Sequence, residues 1–360
     1  MDVVLGGVFD HNTTYDYNDN YEYKDESEKR GSEAVWIPIV YSVVLFVGLL
    51  GNVLLLVVLY QKKRSWSLSD TFILHLSVAD ILLLATLPFR AVQATQDSGW
   101  CFGIFCKICG AVFNINFYCG IFLLVCISLD HYLSSAYEVQ LYSHRTPSFV
   151  HVYCFAVWLI SLLLTIPDWI FLRPKTEQWK TQCVHNYPKS EFDWYLFSRV
   201  LHHIVGFLLP TIILIVCGSY VLLQLQCRSK SLVKKRPAMV ILSFVVVFLL
   251  CWMPYNISLF VDTLCNIPKE ENNESSLKTA LSVFSALGCA HACLRPLLYL
   301  FFCGNFRKQT LRLLRCTTVE CKSSLWELSV GDEAPHDPEQ SAEELKQMTS
   351  PEHQVHSVKA

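Results

Sequence analysis

The sequence predicts an all-α membrane protein, a bundle of seven spanning helices followed by a short amphipathic eighth helix. Three observations carry this. Hydrophobic residues make up 52% of the 360 positions and charged residues only 17%. The apolar residues fall in long runs, and seven of these reach the roughly 20 mostly apolar residues a bilayer crossing needs. The loops between them are short, so they leave no room for a second domain.

The spans are predicted at Val35–Tyr60, Asp70–Ala94, Gly103–Ser134, Phe149–Leu172, Trp194–Leu225, Pro237–Leu264 and Leu277–Cys303. Residues 1–33 form an acidic, tyrosine-rich tail, 34–316 the helical domain, and 317–360 a polar tail. Basic residues fix the orientation. Lys62, Lys63 and Arg64 follow the first span; Arg228, Lys230, Lys234, Lys235 and Arg236 separate the fifth and sixth; Arg307, Lys308, Arg312 and Arg315 follow the seventh. Positive residues stay inside, which puts the amino terminus outside, although Arg173, Lys175, Lys180 and Lys189 oppose the trend. The leading segment has no apolar core, so the first span is expected to act as its own insertion signal.

The first span holds Gly51-Asn52-Val53, and the second places Asp80 in Leu74-His75-Leu76-Ser77-Val78-Ala79-Asp80. A carboxylate at mid-membrane costs about 2.5–3.5 kcal/mol on insertion scales and needs a cation, water or a donor beside it. Pro88 bends the outer half of the same span. The third span ends on Ser128-Leu129-Asp130-His131-Tyr132. The sixth carries Cys251-Trp252-Met253-Pro254-Tyr255, a hinge with an indole just below it. The seventh carries Leu294-Arg295-Pro296-Leu297-Leu298-Tyr299, and Phe306-Arg307-Lys308 opens the short helix that ends near Cys316. Of 16 cysteines most lie inside spans, where a thiol behaves as a small hydrophobe. Cys101, Cys106, Cys183 and Cys265 fall on the oxidising side. A bridge from Cys106 to Cys183 would pin the second outer loop over the mouth; Cys101 and Cys265 have no evident partners.

These motifs, in order on the right spans, are similar to those of rhodopsin-like G-protein-coupled receptors. More narrowly the chain resembles the CXC chemokine receptors of the type-three subgroup from about Pro38 to Cys316. That resemblance rests on Ser69-Asp70-Thr71-Phe72, Thr86-Leu87-Pro88, Phe113-Asn114-Ile115-Asn116-Phe117-Tyr118, Ile166-Pro167-Asp168-Trp169, Gly206-Phe207-Leu208-Leu209-Pro210 and Leu259-Phe260-Val261-Asp262. It implies a plasma-membrane receptor that binds CXC chemokines, cycles through endosomes, sits among membrane lipids, and is not an enzyme. No nucleophile, base or metal cluster converges on either face, and no cofactor, metal or nucleic-acid partner is expected. A transporter or channel fits poorly, since the seven spans show no inverted repeat and only Asp80 and Arg295 are charged at mid-depth.

The resemblance also assigns roles. The tail is expected to hold the ligand body through Tyr15, Tyr17, Tyr21 and Tyr23, which resemble sulfated tyrosines among Asp16, Asp19 and Glu22; the same composition also fits a solvated tail. Asn12 and Asn273 are sequon asparagines, while the Asn256 sequon is expected to be buried. In the mouth, Asp168, Asp262 and Tyr255 match pocket positions and Trp252 the floor. Tyr41, Trp100 and Phe113 are candidate aromatic walls that serve equally as packing. Arg90 stands where the subgroup has tryptophan, and is expected to pair with Asp262 or Asp168 or to alter ligand choice.

Three inner positions depart from the family. His131 replaces the arginine that engages the G protein, and an imidazole lacks its reach and fixed charge. Gly218 replaces a bracing tyrosine, with Tyr220 expected to face elsewhere. Arg295 replaces the asparagine of Asn-Pro-x-x-Tyr, and should seek Asp80 in the place of the family's sodium ion. With Asp130, Tyr132 and Tyr299 these residues make up the candidate activation network. They point to a scavenger with weak or absent G-protein coupling. The alternative is a chemotactic receptor coupled to an inhibitory G protein. Serines 323, 324, 329, 341 and 350 resemble receptor-kinase sites that would recruit arrestin, and Cys316 and Cys321 resemble palmitoylation sites.

Overall fold

The computed structural model describes residues 33–61, 68–95, 103–137, 147–177, 180–188, 192–227, 232–266, 274–303, 306–308 and 310–311. The candidate tail tyrosines, Trp100, Cys101, Asn12, Asn273, the carboxy-terminal serines, Cys316 and Cys321 lie outside them.

Seven spans are present among the described residues. The first four are α1 (Glu33–Gln61), α2 (Leu68–Thr95), α3 (Gly103–Tyr137) and α4 (Pro147–Phe171). The fifth is built from α5 (Trp194–Leu201), a π-helical segment (His202–Leu208) and α6 (Leu209–Cys227). The sixth and seventh are α7 (Leu232–Asn266) and α8 (Glu274–Phe302), and residues 306–308 and 310–311 are helical beyond them. Helices satisfy their own backbone groups, which is what hydrocarbon demands. Long apolar side chains such as Phe46, Phe155, Leu250 and Phe301 point outward, as a lipid-facing surface requires.

The third span is the axis of the bundle: it packs against the second, fourth, fifth and sixth spans. Phe113, Phe117, Tyr118, Ile121 and Leu124 are buried along it. The aromatic stack continues into the sixth span, where Phe117 lies 4.7 Å from Trp252, centroid to centroid.

Two features were not expected from the sequence. The second outer loop is a hairpin of β1 (Leu172–Glu177) and β2 (Lys180–His185), with Pro174 opposite Cys183. The chain leaves the fourth span and has to double back to bring Cys183 onto Cys106, and the two strands satisfy each other's backbone as it does so. The Cys106–Cys183 disulfide is formed, with Cα atoms 5.9 Å apart. Cys265 is exposed and free.

The second feature is the π-helical segment in the fifth span. Pro210 has no N–H to give back along the helix, and the turns before it widen; Leu209 N–H reaches Ile204 O. Gly206 sits inside that segment against the Tyr118 ring, and an added Cβ would collide with the ring. Gly206→Val is therefore expected to destabilise the purified receptor by about 1–3 kcal/mol through overpacking. A melting temperature equal to wild type would show that the ring yields freely.

Candidate functional site

The outer mouth is organised by polar ties between spans. Asp168, near the end of α4, accepts from Asn114 Nδ2 and lies 3.1 Å from His185 Nε2 on β2. Asp262 on α7 pairs with Arg199 on α5 at 3.2 Å. Tyr187 stacks on His185; burial, and then the nearby Asp168 carboxylate, push its hydroxyl up to about 12, so it stays neutral.

Arg90 pairs with neither acid. Its Nη2 donates to the Cys109 carbonyl at 2.9 Å, and its guanidinium lies 4.5 Å from the centroid of Phe113. The reason is occupancy: His185 and Asn114 already serve Asp168, and Arg199 reaches Asp262 from the adjacent fifth span. Phe113 in turn meets Trp252 at 5.0 Å and Tyr255 at 5.3 Å. Trp252 is fully buried and forms the floor. Tyr41 is also buried, with its hydroxyl facing Arg90 and Ser285.

Below the mouth lies a layer that sequence reasoning missed. Tyr118 Oη and His202 Nδ1 are 2.8 Å apart, His202 Nε2 and Asn256 Oδ1 3.0 Å, and Asn256 Nδ2 donates to Trp252 O at 2.9 Å. The amide orientation fixes the rest. Asn256 Oδ1 can only accept, so a neutral His202 carries its proton on Nε2 and Tyr118 donates to Nδ1. One chain of donors thus links the third, fifth and sixth spans. Alongside it, His203 Nε2 donates to Thr263 Oγ1 at 3.1 Å, because that hydroxyl's own proton goes to Leu259 O. Two adjacent histidines inside an apolar run were the available signal, since polar side chains at that depth call for partners.

On the inner half, Arg295 Nη1 lies 2.6 Å from Asp80 Oδ2, both side chains almost wholly buried. Asn116 Nδ2 donates to Asp80 Oδ1 at 3.1 Å, and His291 Nε2 stands 3.4 Å from the same oxygen. Asn52 donates to Gly48 O and Ala292 O, tying the first span to the seventh. Tyr299 is buried against Phe244 and Phe306.

At the cytoplasmic end, His131 Nδ1 is buried without a hydrogen-bond partner. No cation lies within ion-pair reach of Asp130 among the described residues. Tyr220 meets the motif after all, through the Tyr132 ring at 4.8 Å. A Cβ at Gly218 would touch only Leu242, at 3.5 Å, so the position has space but no bracing group.

A seven-helix bundle whose third span is the axis, with a disulfide over its mouth and a polar inner core, is the architecture of a rhodopsin-type receptor. The sequence pattern of the 7 transmembrane receptor (rhodopsin family) matches residues 51–299. The chain is 41% identical over 288 residues to the C-X-C chemokine receptor type 3 of Bos taurus, covering 78% of this chain and 77% of that protein. It is 40% identical to the type 3 receptor of Homo sapiens over the same length and shares, and 35% identical over 297 residues to the human C-X-C chemokine receptor type 5, again at 78% and 77%. The chain belongs to the rhodopsin family of seven-transmembrane receptors and, within it, to the C-X-C chemokine receptors. It is a multi-pass plasma-membrane receptor, not an enzyme.

The Asp80–Arg295 pair yields a stability test. Replacing Asp80 alone by leucine strands a buried guanidinium and is expected to cost about 3–5 kcal/mol, whereas Asp80→Leu with Arg295→Leu should cost clearly less. Thermal unfolding of the two purified variants decides it, and equal damage would mean the charges are not coupled.

Proposed function

We propose that this receptor captures CXC chemokines by holding the folded body at its acidic outer tail and the mobile amino-terminal segment in the bundle mouth. The carrying observation is the family membership, about 40% identity to C-X-C chemokine receptors across the helical domain. Charge complementarity supports it, since an acidic tail speeds encounter with a basic soluble partner. Asp168, Asp262, Tyr255 and the Trp252 floor are the mouth residues proposed to receive the ligand, with Phe113 and Tyr41 as candidate aromatic walls.

For the output, the relatives favour the conventional reading: chemokine binding that activates an inhibitory G protein and drives chemotaxis, with kinases and arrestin following. They are named as chemokine receptors, and this chain aligns with them over 78% of its length and 77% of theirs.

A second reading, a scavenger that internalises ligand with little G-protein activation, is favoured by one specific observation. The position that should present a long fixed cation to the G protein is His131, partly buried and with an unsatisfied ring nitrogen. Gly218 and the Arg295–Asp80 pair weigh the same way. They remove a brace and tie the second span to the seventh.

Side-by-side expression of wild type and His131→Arg separates the readings, with chemokine uptake and ligand-evoked inhibition of cyclic AMP both measured. The conventional reading expects uptake together with full inhibition in wild type, and no gain from arginine. Uptake with no inhibition, and a several-fold gain in His131→Arg, would transfer the conclusion to the scavenger. Absence of both uptake and binding for every CXC chemokine would sink the receptor assignment itself.

A further inference from the structure

Charges in the mouth are balanced unevenly. Asp168 has Asn114 and His185, and Asp262 has Arg199, so both acids hold donors before any ligand arrives. Arg90 has no counterpart of that kind. No carboxylate lies within ion-pair reach of it among the described residues, and its Nε has no hydrogen-bond partner. The titratable groups facing it are Cys289, Tyr41, Cys109 and Tyr255, all hydroxyls or thiols that are neutral near pH 7 at ordinary values. A hydrogen bond to the Cys109 carbonyl, the facing Tyr41 hydroxyl and its position over Phe113 supply only neutral partners and leave Nε of the five-donor fork unused.

An unpaired guanidinium among aromatic rings is poorly solvated, and a partner of opposite charge relieves that. The fork's planar geometry suits a carboxylate, bound through two parallel N–H groups. Depth narrows the source. Phe113 touches both Arg90 and Trp252, so the cation stands one ring above the fully buried Trp252. A side chain on an extended segment suits that depth better than the surface of a folded body.

We propose that Arg90 is an anion subsite that takes an Asp or Glu side chain from the mobile amino-terminal segment of the bound chemokine. This rests on the chemokine-binding reading and sets ligand choice within it. A lysine or arginine delivered to the same depth would be repelled, which supplies selectivity by exclusion as well as by attraction.

The test uses full-length, epitope-tagged receptor on cells, as wild type, Arg90→Gln, Arg90→Lys and Arg90→Glu. The probe is a fluorescent CXC chemokine that wild type binds, with two further versions. In one, the acidic residues ahead of the first cysteine become amides; in the other they become lysine. Arg90→Gln should weaken the parent chemokine about tenfold, and Arg90→Lys by less. The amide version should be weak on wild type yet lose nothing further on Arg90→Gln. Arg90→Glu should prefer the lysine version to the parent.

Equal binding of all versions by wild type and by surface-expressed Arg90→Gln would overturn the subsite. So would a bound chemokine with no acid in that segment, or losses that simply add. Should Arg90→Gln fail to reach the surface, the ligand series on wild type and Arg90→Lys still decides, because an amide version as tight as the parent overturns the proposal. Failure of wild type to bind any CXC chemokine is read on wild type alone. That is failure of the receptor reading, and the subsite falls with it.

Discussion

One carboxylate and one guanidinium, far apart in sequence, set the terms for the middle of this bundle. Neither Asp80 nor Arg295 can stay charged alone in hydrocarbon, and each is the remedy for the other at 2.6 Å. The neighbours arrange themselves around that pair. Asn116 donates to the oxygen that Arg295 leaves free, His291 approaches it from the seventh span, and Asn52 ties the first span to Ala292 one turn away. Movement of the seventh span relative to the second must carry the pair along or separate two buried charges. The inner half is therefore held by electrostatics in addition to packing.

The outer half is tied differently. Its ion pairs are part-exposed, with Arg199 and Asp262 side chains at 16% and 19% and His185 and Asp168 at 34% and 21%. These pairs lie nearer solvent than Asp80 and Arg295, at 1% and 5%, so their charges are less fully desolvated. Between the two halves, the Tyr118–His202–Asn256 chain is neutral throughout and every member has a defined donor or acceptor role. A layer of that kind fixes the relative positions of three spans without storing charge. The receptor has ion pairs at the mouth, a hydrogen-bonded middle and a deeply buried ion pair beneath.

The seven spans were legible because apolar runs of bilayer length have few other uses, and helix is the form hydrocarbon allows. The meeting of Asp80 with Arg295 was legible for a related reason: at that depth each had a single candidate counter-ion. Arg90 was not legible in the same way. It lay within plausible reach of two acids, and the sequence did not say that His185 would arrive on a hairpin strand or that Arg199 would take Asp262. The hairpin itself is hidden by Leu172-Arg173-Pro174-Lys175, where a proline and charges mask the alternation of a strand. The π-helical segment hides for another reason. Pro210 announces a distortion in the fifth span, but its phase, and so which histidine faces the core, depends on Gly206 seating against Tyr118.

Trp252 is where the layers touch. Its indole contacts Phe113 from the mouth, Phe117 from the axial span and His291 from below, at 5.0, 4.7 and 5.5 Å between ring centroids. His291 in turn stands 3.4 Å from Asp80. Phe113 therefore bears on a ring backed by a residue that adjoins the ion pair. In a core this closely packed, the indole and His291 constrain one another, and His291 adjoins a carboxylate already held by Arg295. The mouth, the axial span and the buried ion pair thus meet through one indole and one imidazole.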